Sequence, residues 1–557
     1  MRKGSVSNIG TVVGSTSPSE FQFHLKNFTA KLGDLVTVQV EIPSEEGNAR
    51  QEVLVWGRIT ELQRFNPFLP AEATVELADE GLDLTDTVLS NTRDQVEGTV
   101  LVLGRTPLGD FRKLVPLNYP VQPGAIVRLP PPEDIKTILV GDSNDAHRMH
   151  VGTLIGRSDV PVSLRTNMVV ARHMAILAMT GGGKTVAARR ILRELLEIRY
   201  PLVILDPHGD YLGFWEKQNL FPKNKIKLFY PDIRINSRNR DVVSYLVSQM
   251  TQGFTDPQRE VFSQTSENVH VGEDEEISIS AYLDRLMTGL ANQQARHPGT
   301  IPAVRRGLRM VMAKMDAMRA SNQNLRSRLR EYPFEAMPDP RTSPEKYVQP
   351  GQASIIYLGG YDHLTQSTIV SLILQNLFEE RASMRNNIPP FLTVVEEAHN
   401  FIPSKGEGQA ETPSVEIIRR VITEGRKFGV GLMLVSQRPS RLDETTLSQC
   451  NNFLILRLVN PRDQQFVEKV MENMSRADSR LLPAFGPGEG IVSGQAVRFP
   501  LVVRIKFDDD LVTSTIGDED FVKAVQAWEG SSHGEAHARS EELEEALKSV
   551  GTGNRKK

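Results

Sequence analysis

Hydrophobic and polar positions change their rhythm twice along the chain. Up to about residue 135 the apolar residues come in short β-rich runs. These are FQFHL (21–25), LVTVQVEI (35–42), VLVWGRITEL (53–62), ATVEL (73–77), GTVLVLG (98–104) and AIVRLP (125–130), punctuated by Gly, Pro, Asn and Asp. Closely spaced strands with turn signals between them predict a small barrel or sandwich. The Pro-rich LPPPEDIK (129–136) marks the exit from it.

From about residue 150, apolar runs alternate with amphipathic helical stretches. HMAILAM (173–179) leads into a helix through about Ile198, then PLVILD (201–206). SIIYLGG (354–360), a helix near 365–385, FLTVVEEAH (391–399), a helix near 415–428, GLMLVSQ (431–437) and FLILRL (453–458) follow. This order predicts an α/β domain with a parallel sheet buried on both faces. Residues 235–345 interrupt the alternation and read as an inserted helical subdomain, with SENVHVGEDEEIS (266–278) as a loop inside it. The division expected is a barrel over 1–135, a core over 150–234 and 346–510, the insertion over 235–345, and a polar extension over 511–557. The extension is expected to be partly flexible, with one short helix at 540–549.

A chain of 557 residues is too long for one ordinary core, which agrees with several domains. The formal net charge of −4 means that any nucleic-acid contact has to come from a local basic surface. The single cysteine, Cys450, excludes an internal disulfide framework and any CxxC metal site. No apolar segment follows the basic start and no run approaches eighteen apolar residues. The expectation is therefore no signal peptide, no membrane span and a cytoplasmic location.

The most specific chemistry lies in ILAMTGGGKTVAARRIL (176–192), where an apolar strand enters Thr180-Gly181-Gly182-Gly183-Lys184-Thr185 and a helix follows. Glycines let backbone N–H groups close around a phosphate where a Cβ would collide, and the helix N-terminus adds its dipole. Lys184 is placed to neutralise β- and γ-phosphates, and the Thr185 hydroxyl to coordinate Mg²⁺. Val186 continues the first turn and is counted with the ATP-binding residues. The phosphate-loop pattern wants glycine at position 178, where this chain has Ala178.

A second apolar strand ends in two adjacent acids, Glu396 and Glu397. Two carboxylates at the end of a buried strand are costly unless they face a cation. Glu396 is expected to hold magnesium through water and Glu397 to polarise the attacking water. Neighbouring positions on a strand point to opposite sides, which predicts different jobs for the two. In LDPHGDY (205–211), Asp206 lies at a strand's C-terminal end, a place to orient water or magnesium, with His208 near it. In EGRKFGVGLMLVSQRPS (424–440), Gln437 sits where a γ-phosphate sensor belongs. Arg426 is positioned either to cap its own helix or to reach into a neighbouring subunit's site, and Arg420 is a second candidate for that reach.

RHMAILAMTGGGKT, LDPHGDY, VVEEAHNF, EGRKFGVGLMLVSQRPS and NNFLILRLVNPRD together resemble the HerA family, in the HerA/FtsK branch of P-loop ATPases. The resemblance implies a RecA-like α/β ATPase core carrying an N-terminal small β-barrel. It implies a homohexameric ring that encircles double-stranded DNA and translocates along it with ATP and Mg²⁺. It further implies that Arg172 contacts nucleotide and that the region around Val497, Phe499 and Pro500 contributes to the nucleotide pocket. A partner nuclease or defence effector is expected on the barrel, in DNA-end resection or antiviral defence. The alternative is a ring that serves as an ATP-controlled scaffold for a nuclease or sirtuin-like effector.

For the DNA contact, VRRGLRMVMAKMDAMRASNQNLRSRLR (304–330) carries Arg305, Arg306, Arg309, Lys314, Arg319, Arg326, Arg328 and Arg330 against Asp316. Such a run is either a solvated face or a surface for DNA phosphates.

Overall fold

The computed structural model describes residues 7–511 apart from 27–28, 44–49, 68–73, 76–78, 80–93, 143–146, 238, 252, 273–274, 294–297, 384–386, 405–411 and 472–473, and beyond 511 only residue 525. The helix expected at 540–549 and most of the ATVEL strand lie outside the described residues; Thr74 and Val75 are helical.

The N-terminal strands close into a barrel. They are β1 (Ser7–Val13), β2 (Glu20–Leu25), β3 (Leu35–Pro43), β4 (Arg50–Phe65), β5 (Gln95–Pro107) and β6 (Ile126–Leu129), in the order β1-β2-β5-β4-β3-β6, with β6 pairing back onto β1. Alternating side chains fill the barrel, among them Ile9, Phe21, Phe23, Val38, Val55 and Val100. Trp56 points the other way. Its indole packs with Leu35, Ile135 and Ile138 into the core of the next domain, and its N–H donates to Thr106 Oγ1 at 3.0 Å. The barrel is also tied through Arg58 on β4, 1% exposed, which pairs with the equally buried Asp478.

The second domain is built on a twelve-stranded sheet. Its strands are β7 (Arg148–Leu154), β8 (Arg157–Arg165), β9 (Met174–Leu177), β10 (Leu202–Asp206), β11 (Lys225–Tyr230), β14 (Glu335–Ala336), β15 (Gln352–Tyr357), β16 (Phe391–Val395), β17 (Val430–Ser436), β18 (Asn452–Leu456), β19 (Glu489–Gly494) and β20 (Leu501–Ile505). The spatial order is β14-β11-β15-β10-β16-β17-β9-β18-β19-β20-β7-β8. From β14 to β18 neighbours are parallel; from β18 to β8 they are antiparallel, so the sheet is mixed rather than parallel throughout. β10, β16 and β17 are buried along their whole length, because helices cover both faces. The order β10-β16-β17-β9 lines up the C-terminal ends of four parallel strands along one edge, where an α/β sheet receives its ligands.

The insertion between β11 and β15 is helical, with helices Val242–Met250, Asp256–Asn268, Ile279–Ala291 and Thr300–Arg328. β12 (Arg234–Ile235) and β13 (Ile277–Ser278) pair to close its base. The first residues of the expected 266–278 loop continue a helix that ends at Asn268. Among the described residues no helix is long and apolar enough to cross a membrane.

Candidate active site

The turn after β9 is held from three sides. Ala178 N–H donates to Ser436 O at 3.2 Å, Met179 N–H to Arg457 O at 2.9 Å, and Gly182 N–H to Met179 O at 2.9 Å. Gly181 (φ 74°) and Gly183 (φ 95°) adopt the left-handed conformation that glycine tolerates best. A Cβ on Gly183 would sit 2.9 Å from the Gly488 nitrogen, so glycine is also required by close approach. Ala178 is not among the positive-φ residues, and the loop forms with alanine there. The helix Lys184–Glu197 starts at once and carries no acid in its first turn, which leaves its N-terminal amides to an anion.

β16 ends at Val395, so both glutamates stand just past the strand. They do not diverge as strand neighbours. Glu397 is in the left-handed region (φ 51°), an uncommon conformation for a residue with a side chain, and this turns its carboxylate to the same side as that of Glu396. Lys184 Nζ bonds Glu396 Oε1 and lies 3.1 Å from Glu397 Oε1. Tyr211 donates its hydroxyl to Glu396 Oε2 at 2.5 Å. Burial pushes the Glu396 carboxyl up to about 7, with Lys184 and Tyr211 pulling it back. Burial works against the charge on Lys184, yet the two glutamates hold it above the ordinary lysine value. His399 Nδ1 lies 3.3 Å from Glu397 Oε2 and 3.2 Å from Ser436 Oγ. Glu397 Oε2 is buried with no hydrogen-bond donor in line, so it keeps acceptor capacity for a water.

The cavity over this loop measures about 730 Å³, within the usual size of a small-molecule site. Thr180, Gly181, Gly183, Lys184, Thr185 and Val186 line its floor, with His208, Asp210, Glu397 and Gln437 around them. Gln437 accepts a hydrogen bond from Thr180 Oγ1 at 2.6 Å. His208 is 57% exposed, with Nε2 4.0 Å from Glu397 Oε1.

Three expectations meet a different geometry. Asp206 does not line the cavity: its carboxylate accepts four backbone N–H groups, from His208 (3.1 Å), Gly209 (2.7 Å), Asp210 (3.1 Å) and Tyr211 (2.9 Å). That use of its lone pairs shapes the loop and brings Asp210 and Tyr211 to the site, leaving no room for a metal. Burial, then Asp210, pushes Asp206 up to about 6. Phe499 is packed in the core, and the Pro500 carbonyl meets Arg58 at 3.4 Å, away from the cavity. The C-terminal region lines the cavity instead with Pro487, Gly488, Ile505 and Phe507. Gly488 N–H donates to Gly182 O at 3.1 Å and Ile505 N–H to Gly488 O at 2.8 Å, which fixes this wall on the phosphate loop. Phe507, 53% exposed, gives it an aromatic face. The signal for these residues was slight: PGEG (487–490) reads only as a turn, and its place depends on pairing with β18 and β20.

Third, Arg172 lies at the opposite end of the sheet from the cavity; Arg426, expected to cap its helix or to reach a neighbouring copy, stands at that same end, in the last turn of its helix. Arg172 precedes β9 and Arg426 precedes β17, and the two strands run parallel with Met174 opposite Met433. The cavity sits past the other end of both strands. Arg426 is exposed and makes no ion pair among the described residues. Arg420 lies 3.6 Å from Glu424 and stacks over the Phe378 ring at 4.9 Å.

Among the described residues no group of three or more His, Cys, Asp or Glu side chains forms a metal cage. Thr185, which lines the cavity, suits the other arrangement, in which one or two protein groups hold a magnesium ion that phosphates also bind; Glu396, buried with its oxygens on Lys184 and Tyr211, would join it once Lys184 turns to phosphate.

A family model for the helicase HerA central domain matches residues 149–377. The chain is 28% identical over 533 residues to the DNA double-strand break repair helicase HerA of Pyrococcus furiosus, covering 89% of this chain and 92% of that one. It is 26% identical over 551 residues to a probable helicase of Methanocaldococcus jannaschii, covering 96% and 97%. Among solved structures it is similar to VirB4 of Thermoanaerobacter pseudethanolicus, at 15% identity and a TM-score of 0.45, over 66% of this chain and 99% of that one.

Proposed function

The chain belongs to the HerA family, and from that premise we propose an ATP-driven DNA motor that hydrolyses ATP to move along duplex DNA as a ring of six copies. The observation that carries this reading is the convergence of two separate segments on one ammonium group. Lys184 of the phosphate loop reaches both Glu396 and Glu397 at the end of β16.

ATP enters with its phosphates over Gly181–Thr185 and its base toward Ile505 and Phe507. Lys184 then exchanges a carboxylate partner for phosphate oxygens. Thr185 and Glu396 would hold a magnesium ion, which would neutralise phosphate charge. Glu397 orients the attacking water and takes its proton, with His399 beside the carboxylate, 3.3 Å from Oε2. Gln437, bonded to Thr180, stands beside the γ-phosphate position. Arg172 and Arg426, remote from their own cavity, serve the site of a neighbouring copy, so hydrolysis depends on assembly.

A second reading is a ring that acts as an ATP-controlled scaffold for a nuclease or defence effector. The barrel favours it by keeping Phe65, Leu108 and Tyr119 exposed. Duplex DNA added to the purified protein without any partner separates the two. The motor reading expects ATP turnover to rise severalfold; flat turnover beside a stable effector complex favours the scaffold.

A further inference from the structure

The helix Thr300–Arg328 runs unbroken for 29 residues along the insertion. Val304, Leu308, Val311, Met315, Met318 and Leu325 bury one face of it in the core. At 100° per residue, Arg305, Arg309, Arg319 and Arg326 fall along one flank of that buried face within an arc of roughly 100°, and at 1.5 Å per residue they span about 32 Å. Arg305 is half-buried and the other three are exposed.

None of the four makes an ion pair among the described residues. Elsewhere in and around the insertion, arginines do: Arg234 with Asp232 at 3.1 Å, Arg285 with Glu275 at 2.7 Å, and Arg341 with Asp241 at 2.5 Å. Lys314, on another face of the same helix, pairs with Asp362 at 3.1 Å. The one acid within the arc, Asp316, accepts a hydrogen bond from Ser280 at 3.2 Å. Like charges four apart, as Arg305 and Arg309 are, weaken a helix by a few tenths of a kcal/mol. The stripe therefore has no rationale in the stability of the helix.

We propose that this arginine stripe is a contact surface for the phosphate backbone of duplex DNA. The inference rests on the DNA-motor reading above and adds the surface. Duplex DNA presents one negative charge per about 1.7 Å of axis and repeats every 34–36 Å or so, close to the length of the stripe. Guanidinium groups on a rigid helix meet phosphates without reading bases, which suits a protein that must pass over any sequence. An acidic protein surface would need carboxylates matched to four fixed positions, whereas a duplex offers phosphates throughout.

The test is the salt dependence of binding to a random-sequence duplex, measured for the full chain and for a variant with Arg305→Gln, Arg309→Gln, Arg319→Gln and Arg326→Gln together. Four lost phosphate contacts reduce the slope of log K against log salt by about 3 to 4. ATP turnover without DNA stays at the wild-type rate, which shows that the variant is folded, and the matching fourfold Arg→Lys variant keeps most of the slope. Wild-type slope and affinity in the glutamine variant would overturn the proposal and leave the motor reading standing. A wild-type protein that binds no duplex at all would overturn both.

Discussion

Tyr211 donates its hydroxyl to Glu396 Oε2 at 2.5 Å, across 185 residues of sequence. Burial, then Glu396, holds the Tyr211 phenol well above its ordinary range, so it acts as a fixed donor. A hydrogen bond to a charged group contributes about 1.5–3 kcal/mol. Tyr211→Phe is therefore expected to lower kcat/KM for ATP roughly 10- to 100-fold, with a small change in melting temperature. Steady-state kinetics check this, and an unchanged kcat/KM would take Glu396 out of the reaction.

Lys184 and Glu397 are expected to separate binding from chemistry. Lys184→Ala should lose nucleotide binding and turnover together, because the phosphate partner is gone. Glu397→Gln should bind a fluorescent ATP analogue within a few-fold of wild type while turnover falls by a factor on the order of 10² to 10⁴. Normal turnover in the glutamine variant would move the general base elsewhere.

The buried Arg58–Asp478 pair joins the barrel to the helix Arg476–Leu481, just ahead of the Pro487–Gly488 wall. Removing one partner leaves the other charged and buried, which costs about 3–5 kcal/mol. Arg58→Met should lower the melting temperature by several degrees, and Asp478→Leu added to it should recover much of the loss. Calorimetry on the two variants checks this; equal melting of Arg58→Met and wild type would show that the pair contributes nothing.

Acid stability has one clear contributor. His173 is buried, its Nδ1 accepts Leu432 N–H at 3.1 Å, and burial pushes it down to about 4 from 6.5. Below pH 6.5 the unfolded chain takes a proton that the folded chain refuses. Its stabilising effect is thus whole above pH 6.5 and is lost as pH falls toward 4, on the order of 3 kcal/mol in all. His173→Asn should narrow the melting-temperature gap between pH 7.5 and pH 5; an unchanged gap would assign the acid sensitivity to other groups.

The phosphate loop was legible in the sequence because its determinants are local: strand, glycines and helix follow one another from 174 to 197. The α/β class and the two-glutamate strand end were readable for the same reason. What was not readable depends on distant pairing. Gly488 meets Gly182 only because β19 pairs with β18. Asp206 is occupied by four amides of the loop that follows it, a closure that LDPHGDY does not announce. Glu397 points to the same side as Glu396 because its backbone leaves the strand, which an alternating reading cannot foresee. The strand β1 was missed because SNIGTVV has few large apolar residues, and its pairing with β6 supplies what its composition lacks.

Displacement of a third strand from a duplex tests the central claim most directly, because it reads motion along DNA and not binding alone. With ATP, the wild-type chain is expected to release the third strand from a blunt duplex track. The Glu397→Gln variant, with ATP bound but not hydrolysed, should leave it in place. ATP turnover at a normal rate while the third strand stays put would contradict the account.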